Sequence, residues 1–173
     1  MNQNFEIREA KSEEYKAIGK LMVNVYSKLE GFPKKNDQPE YYKMLANIGE
    51  WCKKPCTKLL VAVDSEGEVG GAVVYFSDMK YYGSGGTATQ EENAAGFRLL
   101  AVDPKLRGNG LGTEITLACI DKAKNDGVGE LIIHSTEYMR IAWNMYEKLG
   151  FKRSSDLDFM QEELPVFGFR LQL

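Results

Sequence analysis

Apolar residues in the first part of the chain recur with the spacing of a helix that buries one face. They are separated by three or four residues, as one face of an α-helix requires, and comprise Ile18, Leu21, Met22, Val25, Tyr26 and Leu29. A short strand is predicted before this helix, at residues 5–8, and a second helix with weaker periodicity at residues 40–50. Gly31 and Pro33 separate the two helices because both residue types interrupt helical structure.

The apolar positions that follow have the pattern of strands. Residues 59–63 and 69–76 are two apolar runs joined by a short polar turn, which predicts an antiparallel β-hairpin. Residues 78–95 are polar and glycine-rich, and this stretch is longer than most connections between elements. We expect it to be a loop.

The second half of the chain alternates between strands and helices. Strands are predicted at residues 97–102 and 131–134, helices at 110–125 and 139–149, and further strands from Phe151 and over residues 167–173. Two consecutive strand–helix units favour parallel pairing. The prediction is a single α/β domain over residues 1–173, with a mixed central β-sheet flanked by helices.

Composition and charge exclude several classes of function. The formal net charge is −3, and basic residues are interspersed with acidic ones, so nucleic acid is not an expected partner. No apolar run reaches the roughly 18 to 20 residues that a membrane helix needs, and the N-terminus lacks a signal peptide's apolar stretch. We therefore expect no membrane partner and a cytoplasmic location.

The cysteines predict neither a disulfide framework nor a metal site. Cys52, Cys56 and Cys119 cannot all pair within one chain, which favours free thiols in a reducing compartment. A zinc site at Cys52 and Cys56 would need two further ligands, and His134 is the only histidine. A nucleophilic pair of cysteine and histidine is disfavoured because Cys119 and His134 lie in apolar segments that are typical of a core.

The segment with the clearest chemistry joins a predicted strand to a predicted helix. It comprises Leu99, Leu100, Ala101, Val102, Asp103, Pro104, Lys105, Leu106, Arg107, Gly108, Asn109, Gly110, Leu111, Gly112 and Thr113. Glycines let backbone amides approach a ligand closely, and the free amides and dipole of a helix N-terminus favour phosphate oxygens. Arg107 adds a positive charge. The segment therefore predicts a pyrophosphate site, although glycines also make simple tight turns.

Two nucleotide motifs do not match this segment. A dinucleotide fingerprint needs a third glycine where Thr113 stands, and no suitable acidic residue follows a second strand. A P-loop needs Gly-Lys-Ser or Gly-Lys-Thr, and neither occurs in the chain.

The residues from Arg107 to Gly112 resemble the coenzyme A pyrophosphate loop of the GNAT superfamily of N-acetyltransferases, [RQ]-x-x-G-x-[GA]. A second stretch, Ala142-Trp-Asn-Met-Tyr146-Glu-Lys-Leu-Gly150-Phe151, is similar to the A-x-x-x-Y-E-K-L-G-F segment of the same superfamily. The two motifs stand in the right order with a predicted strand between them. The resemblance also extends to the order of elements over most of the chain.

The resemblance implies a sheet splayed between two central parallel strands, with acetyl-CoA as co-substrate and no metal. The cofactor-binding residues it implies are Leu100, Ala101 and Val102 for the pantetheine arm, and Arg107, Gly108, Asn109, Gly110, Leu111, Gly112 and Thr113 for the pyrophosphate. Tyr146 falls where relatives have the acid that protonates the leaving thiolate, although it also lies on an apolar helix face. The implied reaction is direct acetyl transfer to a primary amine, without a covalent acyl-enzyme. The acceptor is a small-molecule amine or a protein or peptide amine, and the enzyme a monomer or homodimer.

The chain departs from the family pattern at two positions. Met139 stands where many relatives have an asparagine that helps to hold the cofactor; Asn144 and the turn at residues 135–137 are alternatives for that contact. Gly96 stands where histone-type relatives have a glutamate base. The base is therefore unassigned, with Glu137, Glu91 and Glu92 as candidates. These departures motivate an alternative function, a coenzyme A binding or sensing module with weak catalysis.

Residues 80–93 precede the strand expected to pair with the cofactor. We expect this segment to lie on the acceptor side and to order when the acceptor binds, the alternative being a tolerated surface insertion. Four tyrosines are candidates for lining an acceptor pocket, or for packing at the surface boundary: Tyr41, Tyr42, Tyr81 and Tyr82.

Overall fold

The computed structural model describes residues 3–173 and has a mixed α/β fold. Its strands are β1 (Glu6–Glu9), β2 (Thr57–Val63), β3 (Val69–Phe76), β4 (Ala94–Val102), β5 (Glu130–Ser135), β6 (Lys152–Arg153), β7 (Phe159–Gln161) and β8 (Leu164–Gln172). Its α-helices are α1 (Tyr15–Ser27), α2 (Pro39–Ala46), α3 (Leu111–Asn125) and α4 (Arg140–Lys148). Short 3₁₀ helices occupy several connections. The predicted fold class is confirmed.

The strands form one open sheet in the order β1-β2-β3-β4-β5-β8-β6, with β7 paired to β8. Strands β4 and β5 are parallel, as the two strand–helix units predict, whereas β5 and β8 are antiparallel. The register between β4 and β5 runs from Ala94 opposite Glu130 to Gly96 opposite Ile132 and covers no later residue of the described chain. Both strands continue beyond that point.

The chain contains two compact units. The first comprises residues 1–74 and 99–116, and the second residues 75–98 and 117–173. The boundary passes through β3, β4 and α3, so each of these elements contributes to both units.

In the first unit, α1 buries the face that the sequence pattern predicts, including Ile18, Met22 and Val25. The second predicted helix, by contrast, is not continuous. Helix α2 ends at Ala46, and a 3₁₀ helix follows at Ile48–Lys53. At this end of α2 the Asn47 side chain donates a hydrogen bond back to the Lys43 carbonyl (2.9 Å), a local pairing typical of helix ends.

In the second unit, the core surrounds the buried strand β5. Leu131, Ile132 and Ile133 are almost fully buried, as are Phe169 of β8 and Phe151. Strand β7, which the sequence pattern does not predict, pairs with β8 over three residues.

Candidate active site

The connection between β4 and α3 holds its shape through its own backbone. The Asp103 amide donates to the Gly70 carbonyl (2.9 Å), which ties the connection to β3. The Asp103 carbonyl accepts from the Leu106 amide (2.8 Å), and the Asp103 carboxylate accepts from the Lys105 amide (2.9 Å). The loop that follows therefore starts from a fixed turn.

Gly108 and Gly110 adopt a backbone conformation that side chains disfavour. Their φ angles are 81° and 82°, and a Cβ added at either position would meet no atom within 4 Å. These two positions therefore favour glycine because of their backbone conformation and not because a side chain would clash. The space beside the loop is open.

The loop and the start of the helix that follows it have the features of an anion-binding site. Helix α3 begins at Leu111, and the first amides of an α-helix have no partner within the helix. The exposed Arg107 makes no ion pair with any residue in the range 3–173. Open glycine backbone, helix amides and a free guanidinium suit a pyrophosphate. All seven residues predicted for this role lie together in the first unit.

The carboxyl-terminal part of β4 has an irregular backbone. Leu99 has a φ of 60°, a value rare for a residue with a branched side chain, and Leu100 and Val102 are only half-buried, whereas Ala101 is buried. The Leu100 carbonyl accepts a hydrogen bond from the Tyr26 hydroxyl of α1 (3.1 Å). The sequence pattern placed Tyr26 on the buried face of α1 but carried no signal for this contact.

Tyr146 lies in the second unit, on α4. Its ring packs against Phe97 and Phe151, with ring centroids 5.8 Å and 5.7 Å away. Burial raises the pKa of Tyr146, and the nearby Cys119 and Tyr82 side chains raise it further. Among residues 3–173, no group forms a hydrogen bond with its hydroxyl. Tyr146 is therefore a neutral phenol with a proton available to donate.

Gly96, which stands where histone-type relatives have a glutamate base, has no room for a side chain. A Cβ on Gly96 would lie 2.8 Å from the Tyr82 ring, 2.9 Å from the Ile132 carbonyl oxygen and 2.9 Å from the Met79 sulfur. Of the other candidates, Glu91 forms an ion pair with Arg170 (2.8 Å), whereas Glu137 and Glu92 are exposed.

The buried Tyr82, whose ring lies next to Gly96, is paired with the half-buried His134. The His134 Nε2 is 2.9 Å from the Leu157 carbonyl, which can only accept, so Nε2 carries a proton. In the neutral ring Nδ1 then accepts from the Tyr82 hydroxyl, 2.9 Å away. Burial lowers the pKa of His134, with Arg98 contributing and the Leu157 and Asp158 interactions opposing it. The pair links β5 to the segment after β6.

The cysteines show no sign of an activated nucleophile. Cys119 is buried and desolvation raises its pKa, which disfavours the thiolate. Cys56 is exposed and Cys52 half-buried. Within the described part of the chain, no group of three histidine, cysteine or acidic side chains is arranged to hold a metal ion, and no helix has the length and apolar character needed to cross a membrane.

Residues 80–93 are anchored to the segment around β7. A Cβ on Gly85 would lie 2.6 Å from the Phe159 ring, and the Thr87 hydroxyl donates to the Asp156 carbonyl (3.0 Å). Arg170 forms ion pairs with both Glu91 and Asp156, so the C-terminal end of the segment is held close to β8. These contacts are made within the chain itself, and ordering of the segment on acceptor binding stays a prediction.

The four tyrosine candidates separate into two groups. Tyr42 and Tyr82 are almost fully buried and their hydroxyls are hydrogen-bonded, so they serve as core residues. Tyr41 and Tyr81 are half-buried.

The sequence profile of the acetyltransferase (GNAT) family matches residues 21–151, which is most of the chain. The chain belongs to the acetyltransferase (GNAT) family. This confirms the resemblance carried by the glycine loop and the α4 motif.

The individual relatives share modest sequence identity with this chain. Mycothiol acetyltransferase of Streptosporangium roseum is 33% identical over 88 residues, covering 51% of this chain and 25% of the relative. N-alpha-acetyltransferase 30 of Schizosaccharomyces pombe is 36% identical over 55 residues, covering 32% of this chain and 37% of the relative. The matched region therefore spans well under half the length of these relatives. The PaiA N-acetyltransferase of Thermoplasma acidophilum, solved in complex with coenzyme A, shares the fold with a TM-score of 0.71 at 15% identity, covering 95% of this chain and 98% of the other.

Proposed function

We propose that this GNAT protein is an N-acetyltransferase that moves an acetyl group from acetyl-CoA directly to a primary amine. The observation that carries the proposal is the loop at Gly108 and Gly110, where exposed left-handed glycines lead straight into helix α3 in a chain of this family. The fold neighbour solved with coenzyme A supports the choice of cofactor.

Each cofactor-binding residue has a distinct role in this proposal. Backbone amides from Arg107 to Thr113 hold the pyrophosphate, and the Arg107 guanidinium adds charge. The backbone of Leu100, Ala101 and Val102 pairs with the pantetheine arm. The Tyr26 hydroxyl occupies one lone pair of the Leu100 carbonyl, so it helps to fix the orientation of that peptide group.

Tyr146 supplies the proton that the leaving group needs. The amine nitrogen forms a bond to the thioester carbonyl carbon, the carbon–sulfur bond breaks, and the phenol protonates the departing sulfur. The phenolate then recovers a proton from the newly acylated nitrogen through solvent. The raised pKa keeps the phenol protonated before transfer and makes the phenolate a stronger base that readily recovers its proton afterwards, although it weakens Tyr146 as an acid toward the sulfur.

Direct transfer is favoured over a covalent acyl-enzyme. An acyl-enzyme needs an activated nucleophile, and Cys119 is buried with a raised pKa. The exposed Cys56 lies at the turn that precedes β2 and belongs to neither family motif.

The acceptor class is a small-molecule amine or a protein or peptide amine. The names of the two relatives, a mycothiol acetyltransferase and an N-alpha-acetyltransferase, support keeping both classes. With Gly96 unable to carry a glutamate and Glu91 engaged by Arg170, Glu137 and Glu92 are the remaining candidates to accept a proton from the ammonium through water.

A panel of amines incubated with the protein and acetyl-CoA tests the proposal, with thiol release as the readout. We expect release above the rate of spontaneous hydrolysis for at least one class of amine. Binding of acetyl-CoA by calorimetry without amine-dependent thiol release would favour the coenzyme A sensing module, and the absence of binding would exclude both functions.

A further inference from the structure

A groove between α1 and α2 is lined by four lysines. It has a volume of about 1110 Å³, and the residues that line it all belong to the first unit. The lysines are Lys16 and Lys20 of α1, Lys35 of the connection between the helices and Lys43 of α2. We call this surface the basic groove. Its volume exceeds the roughly 300 to 1,000 Å³ of typical small-molecule sites, so it has room for a larger ligand.

The positive charges of the basic groove are not neutralised by the chain itself. All four lysines are exposed, and none of their ammonium groups forms an ion pair or a hydrogen bond with a residue in the range 3–173. Glu50 is the only acid among the described residues that line the groove, and it is paired with Lys53 (2.5 Å). Lys16 and Lys20 stand four residues apart on one helix, where like charges repel each other. An anionic ligand would relieve this repulsion.

Close contact between the two helices sets the positions of the lysines. Helices α1 and α2 approach each other so closely at Gly19 that a Cβ there would clash with the Ala46 carbonyl oxygen. Lys16 and Lys20 lie on either side of Gly19 in the chain, and Lys43 lies one turn before Ala46. The basic groove is therefore a fixed result of helix packing.

The dimensions of the basic groove suit an extended polypeptide. The α1 residues that line it run from Tyr15 to Ser27, a length of about 18 Å, which about five or six residues of an extended chain would span. Lys16 and Lys20 are separated by about 6 Å along the helix axis, close to the roughly 6.6 Å between alternate residues of a strand. Two acidic side chains on one face of an extended ligand can therefore each face one lysine.

The residue types in the basic groove favour carboxylates over nucleic acid. Nucleic acids are commonly bound by the planar fork of arginine and by exposed aromatic rings on which bases stack. No arginine is among the described residues that line the groove, and its two aromatic side chains are engaged: Tyr15 packs against Gly49, and Tyr42 is buried. Lysine is a point charge on a flexible stem, which suits the carboxylates of a flexible segment.

We propose that the basic groove binds an acidic segment of another polypeptide in an extended conformation. The bound segment lies along α1, with its carboxylates facing the ammonium groups of Lys16, Lys20 and Lys43. This binding goes beyond acetyl transfer and requires neither acetyl-CoA nor a catalytic residue.

Fluorescence anisotropy with a labelled, end-capped hexaglutamate peptide tests the inference. Labelled hexaglutamine and hexathymidylate are the comparison probes. We expect saturable binding of hexaglutamate that weakens as the salt concentration rises, because salt screens exposed charges. Hexaglutamine should not bind, and hexathymidylate should bind more weakly than hexaglutamate.

A matched pair of double variants locates the binding. Lys20→Gln/Lys43→Gln should weaken hexaglutamate binding about 3- to 30-fold, the loss expected for two exposed ion pairs. Lys124→Gln/Lys148→Gln removes two exposed lysines from the last turns of α3 and α4, so it has the same net charge and should leave the affinity unchanged. The Tm of Lys20→Gln/Lys43→Gln should equal or exceed that of the parent, because the variant loses like-charge repulsion and no ion pair.

Four results would overturn the inference. Equal losses of affinity in the two double variants would show non-specific attraction by charge, and no saturable binding of hexaglutamate below about 1 mM would show that the groove holds no acidic segment. Tighter binding of hexathymidylate than of hexaglutamate would assign the groove to nucleic acid. Self-association of the parent that Lys20→Gln/Lys43→Gln abolishes would assign it to a second copy of this chain.

Discussion

The ring of Tyr82 occupies the space into which a side chain at Gly96 would project, with an added Cβ only 2.8 Å from the Tyr82 Cε2 atom. Tyr82 is fully buried and held by its hydrogen bond to His134, so it has little freedom to move aside. Strand β4 can therefore carry no acid at this position, and any general base must come from another part of the chain.

Gly96→Ala should lower the free energy of unfolding by about 1 to 3 kcal/mol, because the methyl group overpacks a filled core. Chemical denaturation measures the loss. Combining it with Met79→Ala, which removes the sulfur 2.9 Å from the added carbon, should cost less than the sum of the two single changes. A Gly96→Ala variant as stable as the parent would show that position 96 has room for a side chain.

Tyr146→Phe should lower kcat about 10- to 1,000-fold with acetyl-CoA affinity unchanged, the effect expected when one general acid is lost. Stability should change little, because the ring contacts with Phe97 and Phe151 remain and the hydroxyl has no partner to lose. Steady-state kinetics and thermal unfolding measure the two effects.

Tyr75→Phe is the matched control for Tyr146→Phe. Its hydroxyl is hydrogen-bonded to the Asp126 carboxylate (2.7 Å), so this change should cost about 1 kcal/mol of stability and leave kcat unaltered. Equal rates for Tyr146→Phe and the parent would assign Tyr146 to packing alone.

Gly110→Asp should bind acetyl-CoA about 10- to 100-fold more weakly than Gly110→Asn, because the carboxylate is placed beside the pyrophosphate. Asp and Asn have nearly the same shape and both tolerate left-handed backbone, so the comparison isolates the charge. Calorimetry measures both affinities.

Gly67→Asn, at the turn before β3 with a φ of 83°, controls for the strain of a side chain in this conformation. Equal affinities for Gly110→Asp and Gly110→Asn would remove the loop from the cofactor site.

The free energy of unfolding should fall as the pH is lowered through the range in which histidine titrates. Burial lowers the pKa of His134, so the unfolded chain takes up a proton near pH 6.5 while the folded chain resists it. The stabilisation that neutral His134 gives to the folded state is therefore fully present above about pH 6.5 and declines below it. His134 is the only histidine, so this interval isolates it. Denaturation of the parent and of His134→Gln at pH 7.5, 6.5 and 5.5 should give a slope only in the parent, and equal slopes would contradict the assignment.

Replacing residues 83–89 with a shorter linker should raise the acceptor KM, or change which amines react, without altering acetyl-CoA affinity. The reason is the proposed position of the segment on the acceptor side. Thr87→Val is the control, because it removes only the tie to the Asp156 carbonyl and should cost about 1 kcal/mol of stability with the KM unchanged. Identical kinetics over the whole amine panel would make the segment a structural insertion.

Local patterns in the sequence determine much of this protein. The spacing of Ile18, Met22 and Val25 sets the buried face of α1, and the apolar runs on either side of the 64–67 turn set β2 and β3. Gly108 and Gly110 mark the loop before α3 because a left-handed backbone selects glycine locally. Periodicity and turn geometry depend on neighbours in the chain, so these features can be read without knowing the rest of the fold.

The tertiary structure alone decides features that depend on residues distant in sequence. Strand β7 forms because β8 is available to pair with it, and Glu91 is engaged because Arg170, far along the chain, comes close to it. Gly96 could be recognised as an unusual residue for its position, but only the packing of Tyr82 shows that no side chain fits there. Whether the hydroxyls of Ser135 and Thr136 have partners also depends on every surrounding segment, because hydrogen bonding in a core is set by long-range packing.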